Sequence, residues 1–183
     1  QYFTLHSSDL TRTIETSREH ESLIKALMRS TAVIEFNLNG EVLTANDRFL
    51  RTMGYTLDQV RGKHHRMFCE PEEYNSAEYQ AFWDKLRRGE FIAERFKRLD
   101  AHGRTVWLEA SYNPIIDAHD VLYKIVKFAT VITDQVNQEN AVAQAADIAY
   151  SNSIATDESA RRATEVVTQT VEVMRGLETY MQD

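Results

Sequence analysis

The stretch Gly40-Glu41-Val42-Leu43-Thr44-Ala45-Asn46-Asp47-Arg48-Phe49-Leu50 decides the fold. Two further pieces extend it, Gly54-Tyr55-Thr56-Leu57-Asp58 and Gly62-Lys63-His64-His65-Arg66-Met67-Phe68. Asn39-Gly40 is a hairpin turn signal between apolar runs at 33–36 and 42–45. Asn46 is placed to cap a short helix over 48–53, and Gly54 to end it. Gly62 marks another break, before a cluster of basic and apolar residues. Two strands followed by several very short helices build a concave wall against a sheet, and such a wall makes a small-molecule pocket.

Working outward, alternating apolar residues predict further strands at 91–99, 106–116 and 122–132. Ala101-His102-Gly103-Arg104 supplies one turn between them, and residues 117–120 the other. Before them lies a longer helix over 76–88, on which Tyr79, Phe82, Trp83 and Leu86 share one face and Gly89 is the stop. The order is two strands, four helices, three strands. It suits an α+β domain whose five-stranded antiparallel sheet carries its short helices on one side.

Both flanks read as helix. Leu10, Ile14, Ser17, Glu21, Ile24 and Met28 recur at steps of four and three. They form either the packed stripe of a surface helix or a seam for a second copy. From residue 135 onward, steps of three and four link Val142, Ala146, Ala149, Ser153, Thr156, Ala160, Ala163, Val167, Thr170, Met174, Leu177 and Met181. Fully helical, this segment spans about 70 Å and needs a partner helix, most simply its own copy in a parallel dimer. Its small central residues make that seam a weak one.

Composition narrows the function. The net charge is −7. Residues 135–183 hold 3 basic against 8 acidic side chains, which argues against nucleic acid or an anionic membrane as partner. The lone cysteine, Cys69, has no internal disulfide partner, and no apolar run approaches membrane-spanning length. The chain opens at Gln1 in mid-pattern and reads as a piece of something longer. No phosphate loop, zinc-binding cysteine pair or defensible Ser/His/Asp set appears, so a non-enzymatic role is expected.

With these residues in view, positions 30–134 resemble the PAS fold. The markers are Asn39-Gly40, Ala45-Asn46-Asp47-Arg48-Phe49, Gly54-Tyr55, Gly62, the run from Trp83 to Gly89, Gly103-Arg104, Trp107 and Asn113-Pro114-Ile115. The runs around His64, His65 and Trp83 look like those of aerotaxis-type and biofilm-dispersion-type chemoreceptors. Asp147-Ile148-Ala149-Tyr150-Ser151 and Thr156-Asp157-Glu158-Ser159-Ala160 look like the start of a methyl-accepting chemotaxis signalling helix. The resemblance implies four parts: the tail of a preceding PAS domain (1–11), a linker helix (12–29), the PAS domain (30–134) and the start of a signalling helix (135–183). Relatives leave their last strand through an Asp-x-Thr motif. Val131 stands where that aspartate belongs, with Asp134 as the nearest substitute.

The resemblance also implies a site. In aerotaxis-type relatives FAD lies in the pocket, and Asn46, His65 and Trp83 match positions that line it. His64 sits beside them, and Arg66 could hold a phosphate or carboxylate. His65 falls where light-sensing flavin relatives carry their reactive cysteine, so a cysteinyl-flavin adduct is not expected. Heme is the second cofactor reading, with His64 or His65 as the iron ligand. The third is a pocket without cofactor, its histidines serving as caps or facing water. Trp107, Phe96 and Tyr112 read as core.

The expected function is a cytoplasmic sensory module of a chemoreceptor whose parent is or is not membrane-associated. It would sense redox state, oxygen or a small ligand and relay it through a dimeric helix. A chemotaxis histidine kinase and coupling protein would be met through regions outside this chain. The alternatives are a ligand-free dimerisation and relay module, or the input domain of a sensor kinase. The absence of any histidine after His119 disfavours the kinase, which needs a phosphoacceptor.

Overall fold

A computed structural model describes the backbone of residues 2–181, and the side-chain surroundings of residues 12–178 and Met181. The chain divides into two compact units, residues 1–133 and 134–183.

The first unit opens with helix α1 (Tyr2–Ser30) and continues through β1 (Ala32–Phe36), β2 (Val42–Ala45), α2 (Asp47–Met53) and α3 (Leu57–Val60). A 3-10 turn (His65–Phe68), α4 (Pro71–Tyr74) and α5 (Ala77–Arg87) follow, then β3 (Ile92–Leu99), β4 (Thr105–Ile116) and β5 (Leu122–Val131). The five strands form one sheet in the order β2-β1-β5-β4-β3, and every neighbouring pair is antiparallel. The expected α+β architecture is therefore present, with β1 and β5 both central. Placing the last strand beside the first is what lets two hairpins share a single core.

The signals in the opening stretch act as their chemistry requires. Asn37 Oδ1 accepts from the backbone N–H groups of Asn39 and Glu41 at 3.0 and 2.9 Å, closing the β1–β2 turn around Gly40. Gly54 ends α2 at φ 72°, donating its N–H to Leu50 O. Ser76 caps α5, accepting from Tyr79 N. The inner face of the sheet and the short helices bury Phe36, Phe49, Met53, Phe68, Leu86, Leu108, Tyr112 and Ile125 almost completely. Each such large apolar side chain contributes about 1.5–3 kcal/mol of transfer free energy.

Val131, at the position of the missing aspartate, is half exposed. The tie at the end of β5 is made by Thr133 instead. Its Oγ1 accepts from Trp107 N at 3.0 Å, while Ile132 N donates to Trp107 O at 2.9 Å.

Ile14, Ile24 and Met28 of the expected α1 seam are exposed, as are Leu23 and Leu27. Leu10 of that seam lies outside the described side chains. So do the residues behind the assignment of 1–11 to a preceding domain, whose backbone from Tyr2 is part of α1.

The second unit is helix α6 (Thr133–Tyr180), 48 residues long when its first residue is included. Val142, Val167, Met174 and Leu177 of the expected seam are exposed on it, and Met181, just past its end, is exposed as well. No helix among the described residues is long and apolar enough to cross a membrane.

Candidate functional site

Backbone pairing sets the position of the histidine pair. Val42 N donates to Lys63 O at 2.9 Å, and Gly62 N donates to Val42 O at 2.8 Å. His65 N donates to Gly40 O at 2.8 Å. The segment after α3 is thereby zipped to the edge of β2, and the two histidines that follow point to opposite sides.

His64 turns outward. Its Nδ1 accepts from Arg66 N at 3.1 Å and caps the 3-10 turn. Burial, helped by the adjacent Arg66 charge, lowers its pKa. With Arg66, Tyr79, Trp83 and Arg87 it lines an outer groove of about 460 Å³. Trp83 is buried, and its indole Nε1 has no hydrogen-bond acceptor.

His65 turns inward and is fully buried. Its Nδ1 lies 2.9 Å from Tyr79 Oη and its Nε2 lies 2.9 Å from Tyr112 Oη. A neutral imidazole has one N–H and one lone pair, so one tyrosine accepts and the other donates. Phe36, Trp83, Phe82 and Phe68 surround the ring at centroid distances of 5.3, 5.5, 6.1 and 6.3 Å. Burial, then the charges of Arg98 and Lys127, hold its pKa well below the ordinary value. The imidazole is therefore uncharged at neutral pH.

Asn46 serves another purpose. Its Oδ1 accepts from Val33 N and Phe49 N, each at 2.9 Å. Its Nδ2 donates to Met28 O at 2.9 Å and Thr31 O at 2.8 Å. One amide thus fastens the end of α1, the start of β1 and the first turn of α2, using its full bonding capacity. The structure brings His64, Arg66 and Trp83 together on the groove, sends His65 into the core and gives Asn46 to the backbone.

This geometry bears on the two cofactors. Both ring nitrogens of His65 face tyrosine hydroxyls, so neither is offered to a heme iron. An isoalloxazine behind His65 would have to displace the packed rings of Phe36, Phe82 and Tyr112. A flavin contact at Asn46 would cost two backbone N–H groups their acceptor. In this packing the residues do not fit either group inside the domain.

Two interior residues escaped the sequence reading. Arg98 on β3 and Lys127 on β5 are each only 2% exposed. Arg98 Nη1 donates to both carboxylate oxygens of Glu73 on α4, at 3.0 Å. Lys127 Nζ lies 4.8 Å from the Tyr112 ring centroid and 5.7 Å from that of Phe96. The available signal was register. Lys127 falls between Ile125 and Ala129, and Arg98 lies two residues from Phe96, on the buried sides of their strands. Cys69 Sγ sits 3.6 Å from His65 Nδ1, and burial pushes its thiol pKa up to about 11.

The PAS-fold family model matches residues 42–129, and the domain has the PAS fold. It is 41% identical over 169 residues to the biofilm dispersion protein BdlA of Pseudomonas aeruginosa, covering 92% of this chain and 40% of that protein. It is 28% identical over 87 residues to the aerotaxis receptor of Escherichia coli, covering 48% of this chain and 17% of the receptor. The chain thus spans well under half the length of these curated relatives. Among solved structures, a light-oxygen-voltage domain studied with a flavin analogue is similar at TM-score 0.54 and 19% identity, over 69% of this chain and 96% of that one. A PAS domain from Colwellia psychrerythraea gives 0.54 and 18%, over 62% and 97%. At these identities the structural likeness concerns the fold alone.

Proposed function

We propose that this chain is the cytoplasmic sensory module of a chemoreceptor. Its PAS domain takes a redox, oxygen or small-ligand signal, and α6, paired with a second copy, carries the signal onward. It acts as a sensor rather than an enzyme. It reaches a chemotaxis kinase and coupling protein through parts of the protein beyond this chain. The carrying observation is the extent of the likeness to the biofilm dispersion protein. It runs over 169 residues, beyond the matched PAS segment and into the flanking helices. The apolar residues exposed along α1 and α6 support pairing, because a second copy would remove them from water.

The direct test is a chimera. This chain replaces the matching segment of the biofilm dispersion protein in Pseudomonas aeruginosa lacking its own copy, and dispersion is scored. Restored dispersion is expected. A chimera that is stably produced yet inert would overturn the reading.

A second reading is a relay module that holds no cofactor. The ring-filled interior and the fully engaged Asn46 and His65 favour it over a flavin or heme sensor. An absorption spectrum of protein made with supplemented cofactor separates the two. A flavin band at about 450 nm or a heme band at about 400 nm would exclude the relay.

A further inference from the structure

Arg98 and Lys127 place two basic side chains in the same buried layer. The Arg98 guanidinium carbon lies 5.0 Å from the Phe96 ring centroid, on which Lys127 Nζ also stacks. Each acts electrostatically on His65, and Arg98 on Lys127. Facing them are Glu73, Cys69, Tyr112 and His65. Of these only Glu73 is a carboxylate, and its side chain is 37% exposed.

The Arg98–Glu73 contact also uses the guanidinium poorly. Both carboxylate oxygens meet the same nitrogen, Nη1, whereas a guanidinium binds a carboxylate best through two parallel N–H groups. Nε is buried without an acceptor, although the Tyr112 hydroxyl faces the same guanidinium. A buried, unmet donor on a fixed cation is costly, and a second carboxylate would relieve it.

We infer that Arg98 and Lys127 are the cation pair of an interior site for a small organic carboxylate, which binds in competition with Glu73. The incoming group takes the fork of Arg98 and stands against the Lys127 ammonium. Glu73 is released to solvent, toward which it is already half turned. Entry requires movement of α4, a single turn held to β3 by Glu73 and by a partly exposed Lys97–Glu70 pair of 2.7 Å. Exposed pairs of that kind are worth about 0–1 kcal/mol, so the strap is weakly fastened. Binding at the cation pair therefore changes how α4 sits on β3. This deepens the sensory reading and rests on it for its biological purpose, but the binding itself is separately measurable.

Protonation gives a second signature. Burial first, then Arg98, lowers the Lys127 pKa well below its ordinary value. A bound carboxylate favours the ammonium, so affinity falls as pH rises past the lysine's folded pKa.

The test is calorimetric titration of the purified chain with acetate, succinate and inorganic phosphate. Saturable one-to-one binding of acetate or succinate is expected. It should strengthen on the order of tenfold in Glu73→Gln, where the competing charge is gone, and disappear in Lys127→Met, which keeps the volume and removes the cation. Circular dichroism confirms that each variant is folded. No carboxylate binding to either the parent chain or folded Glu73→Gln would overturn the site, and so would undiminished binding in Lys127→Met. Phosphate binding as tightly as both carboxylates would overturn the assigned ligand class. If the chimera works while these titrations are silent, this site fails and the sensory reading stands.

Discussion

His65 holds two tyrosine hydroxyls on one uncharged ring, and its removal should be felt in two ways. His65→Phe leaves Tyr79 and Tyr112 without their partner and should cost about 2–4 kcal/mol in urea denaturation. The pH dependence should change as well. In the unfolded chain this histidine titrates near the ordinary value of about 6.5, whereas the folded value is much lower. Below that pH the unfolded chain binds a proton that the folded chain does not. This site therefore makes stability fall as pH drops through and below about 6.5, by at most about 1.4 kcal/mol per pH unit. His65→Phe should lose that component, and an unchanged slope between pH 7.5 and 5.5 would contradict a neutral buried imidazole. Asn46→Ala removes acceptors from Val33 N and Phe49 N and a donor from Met28 O and Thr31 O. A loss of about 2–3 kcal/mol is expected in the same assay, accompanied by earlier unfolding of α1 in hydrogen exchange.

At the scale of the element, the β1–β2 turn is the least replaceable piece. Gly40 sits at φ 81°, and a Cβ there would meet His64 Nε2 and Trp83 Cζ2, each at 3.0 Å. Gly40→Ala should therefore cost about 1–3 kcal/mol from backbone strain alone. Because it crowds the histidine and the tryptophan together, it should also shift the Trp83 fluorescence. The same turn was visible from Asn39-Gly40, and the strands on either side of it from their apolar runs. The expected strand at 91–99 proved to start at Ile92, and that at 122–132 to end at Val131, because strand ends are set by pairing partners that a single segment does not contain. Which residues would approach one another across the domain was less legible. Asn46 bears the marks of a cap and is one, but its grip on Met28 and Thr31 spans 15 to 18 residues. The pairing of His65 with Tyr112 joins positions 47 apart. Arg98 and Lys127 were hidden because a charged side chain in a strand is read as outward-facing unless its neighbours two residues away are weighed against it.

For the whole molecule, the expectation is a dimer sustained by helices. Mass measurement by light scattering should give twice the chain mass at high micromolar concentration, and a version ending at residue 133 should move toward the monomer. A strict monomer for the intact chain would contradict pairing through α6. The four-part division of the chain, with a preceding domain ending near residue 11, belongs to the same proposal. Limited proteolysis of a longer protein tests it by where cleavage falls. Cys69 offers a last consequence. It is the sole thiol of the chain, buried beside His65 one residue before Glu70, the N-cap of α4, and protonated well past neutrality. An alkylating reagent can reach it only during excursions that uncover that corner. The chain thus carries a built-in clock, whose ticking rate, compared with and without acetate, times the fluctuations of the domain without any label being engineered into it.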